Sequence, residues 1–390
     1  MKKLFNSIAF VTLLFIGCNE KKPMVEDNTA PEEKVKTSYY SGEPLKVAVI
    51  GLTHTHVHWI LGREDLGDIE IVAIVESNRD LAERYCEQHG LSVDLIYDSM
   101  QAMYASVKPE AVTAFNDIYG HLEVVEFFAP KGVPIMVEKP MAVNWEHAQK
   151  MTQLAKEHNV PLLTNYETSW YSSHHKAKKM AVGDSLFGPI QRMVFHHGHP
   201  GPIEIGCNEE FLEWLTDPVL NGAGALTDFG CYGANLATWF LNGEVPTGVT
   251  AITRNYKPDM YPKVDDDATI VIDYKDKQVI VQASWNWSHN RKDMELYGKT
   301  GYVICSNGQD LKILEKEEDG AYEQKAKALQ QGFHDPFALL NQVVKHGHQL
   351  EPYDVSSLEN NVLVMQILEA AKVSAETGKT ISWDVFFKSE

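Results

Sequence analysis

Lys139, Asp228 and Tyr232 are the side chains whose types and surroundings suit proton transfer. Lys139 precedes Pro140; proline cannot continue a hydrogen-bond ladder and turns the residue before it away from helix, which holds the lysine extended at the edge of a strand. Asp228 and Tyr232 are four residues apart in a run opened by the glycine-rich turn Asn221-Gly-Ala-Gly-Ala225, so on a helix they share one face. A lysine at such an edge can hydrogen-bond a substrate hydroxyl or lower a neighbouring phenol's pKa. A carboxylate and a phenol projected toward it complete a proton-transfer set.

A second group surrounds Gly51-Leu52-Thr53-His54-Thr55-His56, where a dinucleotide fold places G-x-G-x-x-G. Only the first glycine is present. Glu76 lies 20 residues beyond His56 and closes the next apolar run, where an acid accepts the adenosine ribose hydroxyls and repels a 2′-phosphate. This favours NAD over NADP. The segment also supports a rival reading, because His54, His56 and His58 alternate and His-x-His at a strand end can bind a catalytic metal. Closed coordination needs further ligands, and the candidates His196, His197 and His199 lie in another domain. No metal is assigned, and a metal-dependent hydrolase stays the alternative.

These residues need elements to place them. Leu45–Ile50, Glu70–Val75, Ala111–Phe115 and Pro134–Val137 read as buried strands, separated by amphipathic helical stretches near Val57–Arg63, Arg79–His89 and His121–Lys131. Repeated β-α-β units predict a doubly wound parallel sheet whose ligand crevice lies at the carboxyl ends of its strands. Beyond Asn165 the pattern predicts a strand at Ile190–His197, a helix at Ala225–Leu241, and a meander of Val249–Arg254, Ala268–Asp273 and Gln278–Ser284. Leu358–Thr377 should be a long helix packing back, stopped at Gly378. The fold class is therefore α/β: a Rossmann domain over 45–164, then an α+β domain with a mostly antiparallel open sheet over 165–390.

Fifty-four acidic against 35 basic residues leave a formal charge of −19, which repels nucleic-acid phosphates and anionic bilayers. Cys86, Cys207, Cys231 and Cys305 read as ordinary thiols, without zinc-knuckle or disulfide spacing. The four acids in Asp259–Asp267 read as a solvated loop. Tyr166, Trp170 and Trp285 offer aromatic faces of the kind that stack on pyranose rings, although core packing is the commoner use.

The chain from Leu45 onward resembles the glucose-fructose oxidoreductase, inositol dehydrogenase and rhizopine-catabolism (Gfo/Idh/MocA) family. The resemblance rests on the Gly51 turn, on His121 placed 17 residues before Glu138-Lys139-Pro140, on Gly222-Ala-Gly-Ala-Leu-Thr-Asp228, and on the run from Leu358 before Thr377-Gly-Lys-Thr380. It implies oxidation or reduction of a sugar or cyclitol hydroxyl with NAD, in a homo-oligomer, dimer or tetramer. The family lysine maps to Lys139 and the family aspartate to Asp228; Tyr232 stands where many members carry histidine. The implied roles are Tyr232 as base, Lys139 stabilising its phenolate and Asp228 positioning the substrate. The expected cofactor set is Gly51, Thr53, His54, His56, Glu76, Asn116, His121 and Glu138. The expected substrate set is Tyr166, Trp170, His199, Asn235 and Trp285. A redox-neutral glycoside hydrolase or lyase and a non-catalytic sugar-binding protein are the other readings.

At the start, Lys2 and Lys3, the apolar run Ile8–Ile16 and Gly17-Cys18 form a signal-peptide pattern that resembles a bacterial lipobox. Residues 1–18 are expected to be a lipoprotein signal with Cys18 lipidated, and 19–44 a polar tether. This places the protein in a bacterial cell envelope, periplasmic or surface-facing, touching the membrane only through its lipid.

Overall fold

The computed structural model describes residues 42–387, which fall within one compact unit. Cys18, the expected signal segment and nearly all of the tether lie outside the described residues. The first sheet contains β1 (Leu45–Ile50), β2 (Ile69–Val75), β3 (Ile96–Tyr97), β4 (Ala111–Ala114), β5 (Ile135–Glu138) and β6 (Leu162–Asn165), in the order β3-β2-β1-β4-β5-β6. All its pairings are parallel. That is the dinucleotide-fold order, with the crevice where the strand order reverses beside β1. β4, β5 and β6 are buried throughout, which is why they read as continuous apolar runs. In register, Ile50 pairs with Ala114, Ala114 with Val137 and Glu138 with Asn165. The turn after β1, the loop after β4 and Lys139 thus share one carboxyl edge.

α1 (His58–Leu61), α2 (Arg79–His89), α3 (Met100–Ser106), α4 (His121–Phe128) and α5 (Trp145–Glu157) connect these strands. α2 covers its expected span because Asn78 caps it and Gly90, at φ 68°, ends it. α1 is shorter than expected, a 3₁₀ turn at Thr55–Val57 followed by four residues.

The second sheet contains β7 (Ile190–Gly198), β8 (Gly248–Arg254), β9 (Asp267–Asp273), β10 (Gln278–Ser284), β11 (Arg291–Gly298), β12 (Tyr302–Cys305), β13 (Asp310–Leu314), β14 (Tyr322–Lys325) and β15 (Ile381–Ser382). Its order is β14-β13-β12-β11-β7-β10-β9-β8-β15. β7 and β10 pair in parallel and the other neighbours are antiparallel. Its helices are α6 (Ser172–Lys178), α7 (Glu209–Leu215), α8 (Ala225–Phe240), α9 (Pro336–His346), α10 (Leu358–Thr377) and α11 (Trp383–Phe387). α8 is buried at every residue, against this sheet on one side and α10 on another.

Two features were not anticipated. Phe337, Leu339 and Leu340 of α9 join the apolar cluster of Leu45, Val47 and Val49, so the chain returns to the first sheet. The acidic loop is not simply solvated, because Asp265 accepts the Gly224 and Leu226 amides at 2.8 and 2.7 Å. A Cβ at Gly224 would lie 1.8 Å from the Asp265 carbonyl oxygen, which explains the glycine at the start of α8. Asp266 is buried and accepts the Tyr256 and Lys257 amides.

Candidate active site

β5 and α8 bring Lys139 and Asp228 together from positions 89 residues apart: Lys139 Nζ lies 2.5 Å from Asp228 Oδ1. Trp285, just past β10, donates Nε1–H to the other carboxylate oxygen at 2.9 Å. All three are buried. Burial alone would raise the Asp228 pKa, but the Lys139 ammonium, the nearby His199 and hydrogen bonds from Lys139 and Trp285 together hold it below the ordinary value. Burial likewise opposes the charge on Lys139, and Asp228 outweighs it, raising that pKa. The pair is a fixed ion pair.

Tyr232 lies one helical turn beyond Asp228, its ring edge against Tyr166 and His197. Lys139 Nζ is 5.4 Å from its ring centroid. Burial, then Glu167, Cys231, Asp228 and Glu138, push the phenol well above its ordinary pKa. The lysine charge is directed at Asp228 at 2.5 Å and meets Tyr232 only across its ring face, which is not the direct lysine–phenol contact that was expected.

At the turn after β1, Gly51 has φ 75°, and a Cβ there would come 2.6 Å from that of Asn116. The amides of Leu52, His54 and His56 already donate, to Glu76 Oε2 at 2.9 Å, the Phe115 carbonyl at 2.8 Å and His54 Nδ1 at 3.1 Å. They are not free to cradle a pyrophosphate as a glycine-rich turn does. Thr53 Oγ1 and Asn116 Oδ1 are buried there without hydrogen-bond partners. A ligand carrying phosphate oxygens and ribose hydroxyls would satisfy both, so a dinucleotide fits this edge through side chains. Glu76, 7% exposed, accepts the Leu52 and Asn78 amides, and each of its oxygens keeps a second lone pair for a ribose hydroxyl.

His54 and His56 turn toward Glu138 at the end of β5, with His56 Nδ1 2.9 Å from Glu138 Oε2. Burial holds both imidazoles below their ordinary pKa, His56 at about 3, with Lys139 second for His56. Burial raises Glu138. The His56 ring stacks on Trp59 at 3.8 Å. His196, His197 and His199 do not join this cluster. His196 Nδ1 faces Gln282, His197 is buried beside Tyr232, and His199 accepts the Gly201 amide.

Tyr166 is buried against Tyr232, and Trp170 lines a cleft of about 280 Å³ with Trp59, Glu167 and Tyr171. Trp285 holds Asp228, which occupies its polar edge. Asn235 lies apart, donating to the Val355 carbonyl at 2.8 Å to tie α8 to the segment before α10. His121 is buried and faces the Met141 carbonyl through Nδ1 at 3.1 Å, fixing the loop after Lys139.

Sequence reasoning missed two groups. Glu167 and Lys292 pair at 2.5 Å, with Lys292 Nζ 5.7 Å from the Tyr232 ring centroid. Neither residue sits in a recognisable motif. Phe211 and Trp214 of α7 pack on His54 with ring centroids 5.3 and 5.6 Å away. The run Phe211-Leu-Glu-Trp-Leu215 was the available signal.

Comparison with known proteins places this geometry. Residues 45–166 match the oxidoreductase family with an NAD-binding Rossmann fold, and residues 174–304 match the Gfo/Idh/MocA C-terminal domain. D-xylose 1-dehydrogenase [NADP(+)] of Haloarcula marismortui is 23% identical over 67% of this chain and 71% of its own length. D-glucoside 3-dehydrogenase of Escherichia coli is 26% identical over 55% of this chain and 59% of its own. An inositol dehydrogenase homolog from Azotobacter vinelandii, solved with NAD+, superposes with a TM-score of 0.74 at 16% identity, covering 87% of this chain and 98% of that one. Both sheets and the segments that join them therefore make this chain a member of the Gfo/Idh/MocA oxidoreductase family.

Proposed function

We propose that the protein is an oxidoreductase acting on a CH–OH carbon of a sugar, glycoside or cyclitol, with NAD as its hydride partner. The observation that carries this reading is the buried Lys139–Asp228 pair, fixed by Trp285 at the carboxyl edge of the first sheet beside Tyr232. The names of the relatives, a D-xylose and a D-glucoside dehydrogenase, support the substrate class.

Gly51, Thr53, Glu76 and Asn116 would hold the dinucleotide, which when bound accepts or returns hydride at the carbinol carbon. The chain's own residues handle the oxygen. Lys139 keeps its charge because Asp228 is paired with it, and so presents a fixed N–H donor. Tyr232 donates to the substrate oxygen and gives up its phenolic proton when a carbonyl is reduced; when an alcohol is oxidised the same oxygen, as phenolate, takes the hydroxyl proton. Lys292 stands 5.7 Å from the centre of the Tyr232 ring, and its partner Glu167 brings a carboxylate to the cleft of Trp59 and Trp170.

The test supplies a panel of aldoses, glycosides and cyclitols with and without added NAD or NADH and follows product formation together with nicotinamide absorbance. Turnover of at least one of them is expected, reduced by about 10²-fold or more in Tyr232→Phe. The phenolic oxygen makes no hydrogen bond among the described residues, so this variant should keep its thermal midpoint. A near-native rate in Tyr232→Phe would remove Tyr232 from the reaction.

A further inference from the structure

His54, His56 and Glu138 each offer a ligand atom within 4.8 Å of the others. His54 Nδ1 accepts the His56 amide, while its Nε2 is buried with no hydrogen-bond partner although the residue is only 1% exposed. An unpartnered buried nitrogen is costly. Charge points the same way. Lys139 is engaged by Asp228 and Lys292 by Glu167. Glu138, also 1% exposed, makes no ion pair with a lysine or arginine among the described residues. Its Oε1 accepts Asn165 Nδ2 at 2.6 Å, and Asn165 in turn accepts Trp170 Nε1 at 3.0 Å, so the carboxylate is held in place by neutral groups. Buried carboxylates are paired or coordinate metals.

We propose that His54, His56 and Glu138 bind one divalent transition-metal ion beside the Lys139–Asp228 pair. Two imidazoles and a carboxylate form a three-ligand set that leaves positions open for substrate or water. Ligand atoms on a tetrahedral ion at ~2.1 Å stand roughly 3.4 Å apart, so a small inward movement closes this cluster. The third ligand is Glu138 on β5, next to Lys139, and not a histidine of the second sheet. Coordination at His54 Nε2 needs the ring proton on Nδ1, so uptake shifts the imidazole tautomer and gives up the contact from the His56 amide. The ion would bind the substrate hydroxyl oxygen and lower its pKa, easing transfer of its proton to Tyr232. That role rests on the proposed function; the binding does not.

The full chain, stripped with a chelator and dialysed, is titrated calorimetrically with Zn²⁺, and Co²⁺ uptake is read by visible absorbance. One ion per chain and the ligand-field bands of a low-coordinate Co²⁺ site are expected. Affinity should fall at least about tenfold in His54→Ala and in Glu138→Gln. His58→Ala, at a residue whose Nδ1 faces His89, should bind as the wild type does. Sub-stoichiometric uptake by the wild type, or unchanged affinity in both ligand variants, would overturn the site. If those variants do not fold, the wild-type stoichiometry and cobalt spectrum decide. NADH binding is measured on the same samples: metal bound without NADH would reject the cofactor reading alone, and NADH bound without metal the metal site alone.

Discussion

Asp228 accepts Lys139 with one oxygen and Trp285 with the other, so a change at this residue affects stability and chemistry together. Its folded pKa is depressed. The stabilisation it contributes is therefore present above the unfolded value, about 3.9, and is lost as pH falls through the lower folded value. Asp228→Asn leaves the Lys139 ammonium buried without its counter-ion, which costs ~3–5 kcal/mol when one partner of such a pair is removed. Urea unfolding at pH 7 should show that loss, and the gap between variant and wild type should narrow under acid conditions, below about pH 4. Equal stability at neutral pH would mean that the ion pair does not hold the site. The same residue shows the limit of reading chemistry from spacing. Four-residue spacing placed Asp228 and Tyr232 on one helical face, but it could not show which of them would take the lysine's charge.

Among the elements, the turn after β1 and the end of β2 are joined through Glu76, whose two oxygens accept the Leu52 and Asn78 amides. Glu76→Ala should loosen the turn and remove repulsion of a 2′-phosphate together. NADH affinity is expected to fall and the margin over NADPH to narrow, as read by fluorescence titration. Tighter NADPH binding by the native protein would reject the assignment. Much of this level was legible beforehand: β1, α2, β10 and α10 run over the spans that apolar periodicity and capping residues indicated. What was not legible depends on partners distant in sequence. Asp265 capping α8, α9 completing the core of the first sheet, and the Glu167–Lys292 pair are contacts across 39 to nearly 300 residues, and no local pattern encodes them. The histidines were visible, but their third companion was not, because Glu138 looked like part of the Glu-Lys-Pro motif alone.

At the scale of the whole molecule, the second half of the chain closes over the first. α7 sets Phe211 and Trp214 on His54, while Arg84 pairs with Glu210 and Asn208 donates to Tyr85. We propose that α7 lies over a dinucleotide bound at this turn and slows its release. Among the described residues no helix is long and apolar enough to cross a membrane. We propose that attachment comes from Gly17-Cys18, as lipid on a protein facing the periplasm or the outside. Free nicotinamide cofactor is scarce there, and a cofactor that is retained and returned to its starting state in each cycle needs no external pool. This favours the redox-neutral variant of the proposed function, in which a sugar is transiently oxidised, changed and reduced again. Cys18→Ser should move the protein from the membrane fraction to the soluble fraction. With candidate glycosides and no added cofactor, the purified protein should complete many turnovers without net accumulation of reduced nicotinamide. A yield that tracks added NAD mole for mole would instead make it a dehydrogenase that depends on a supplied pool, and the cover formed by α7 would then have to open in every cycle.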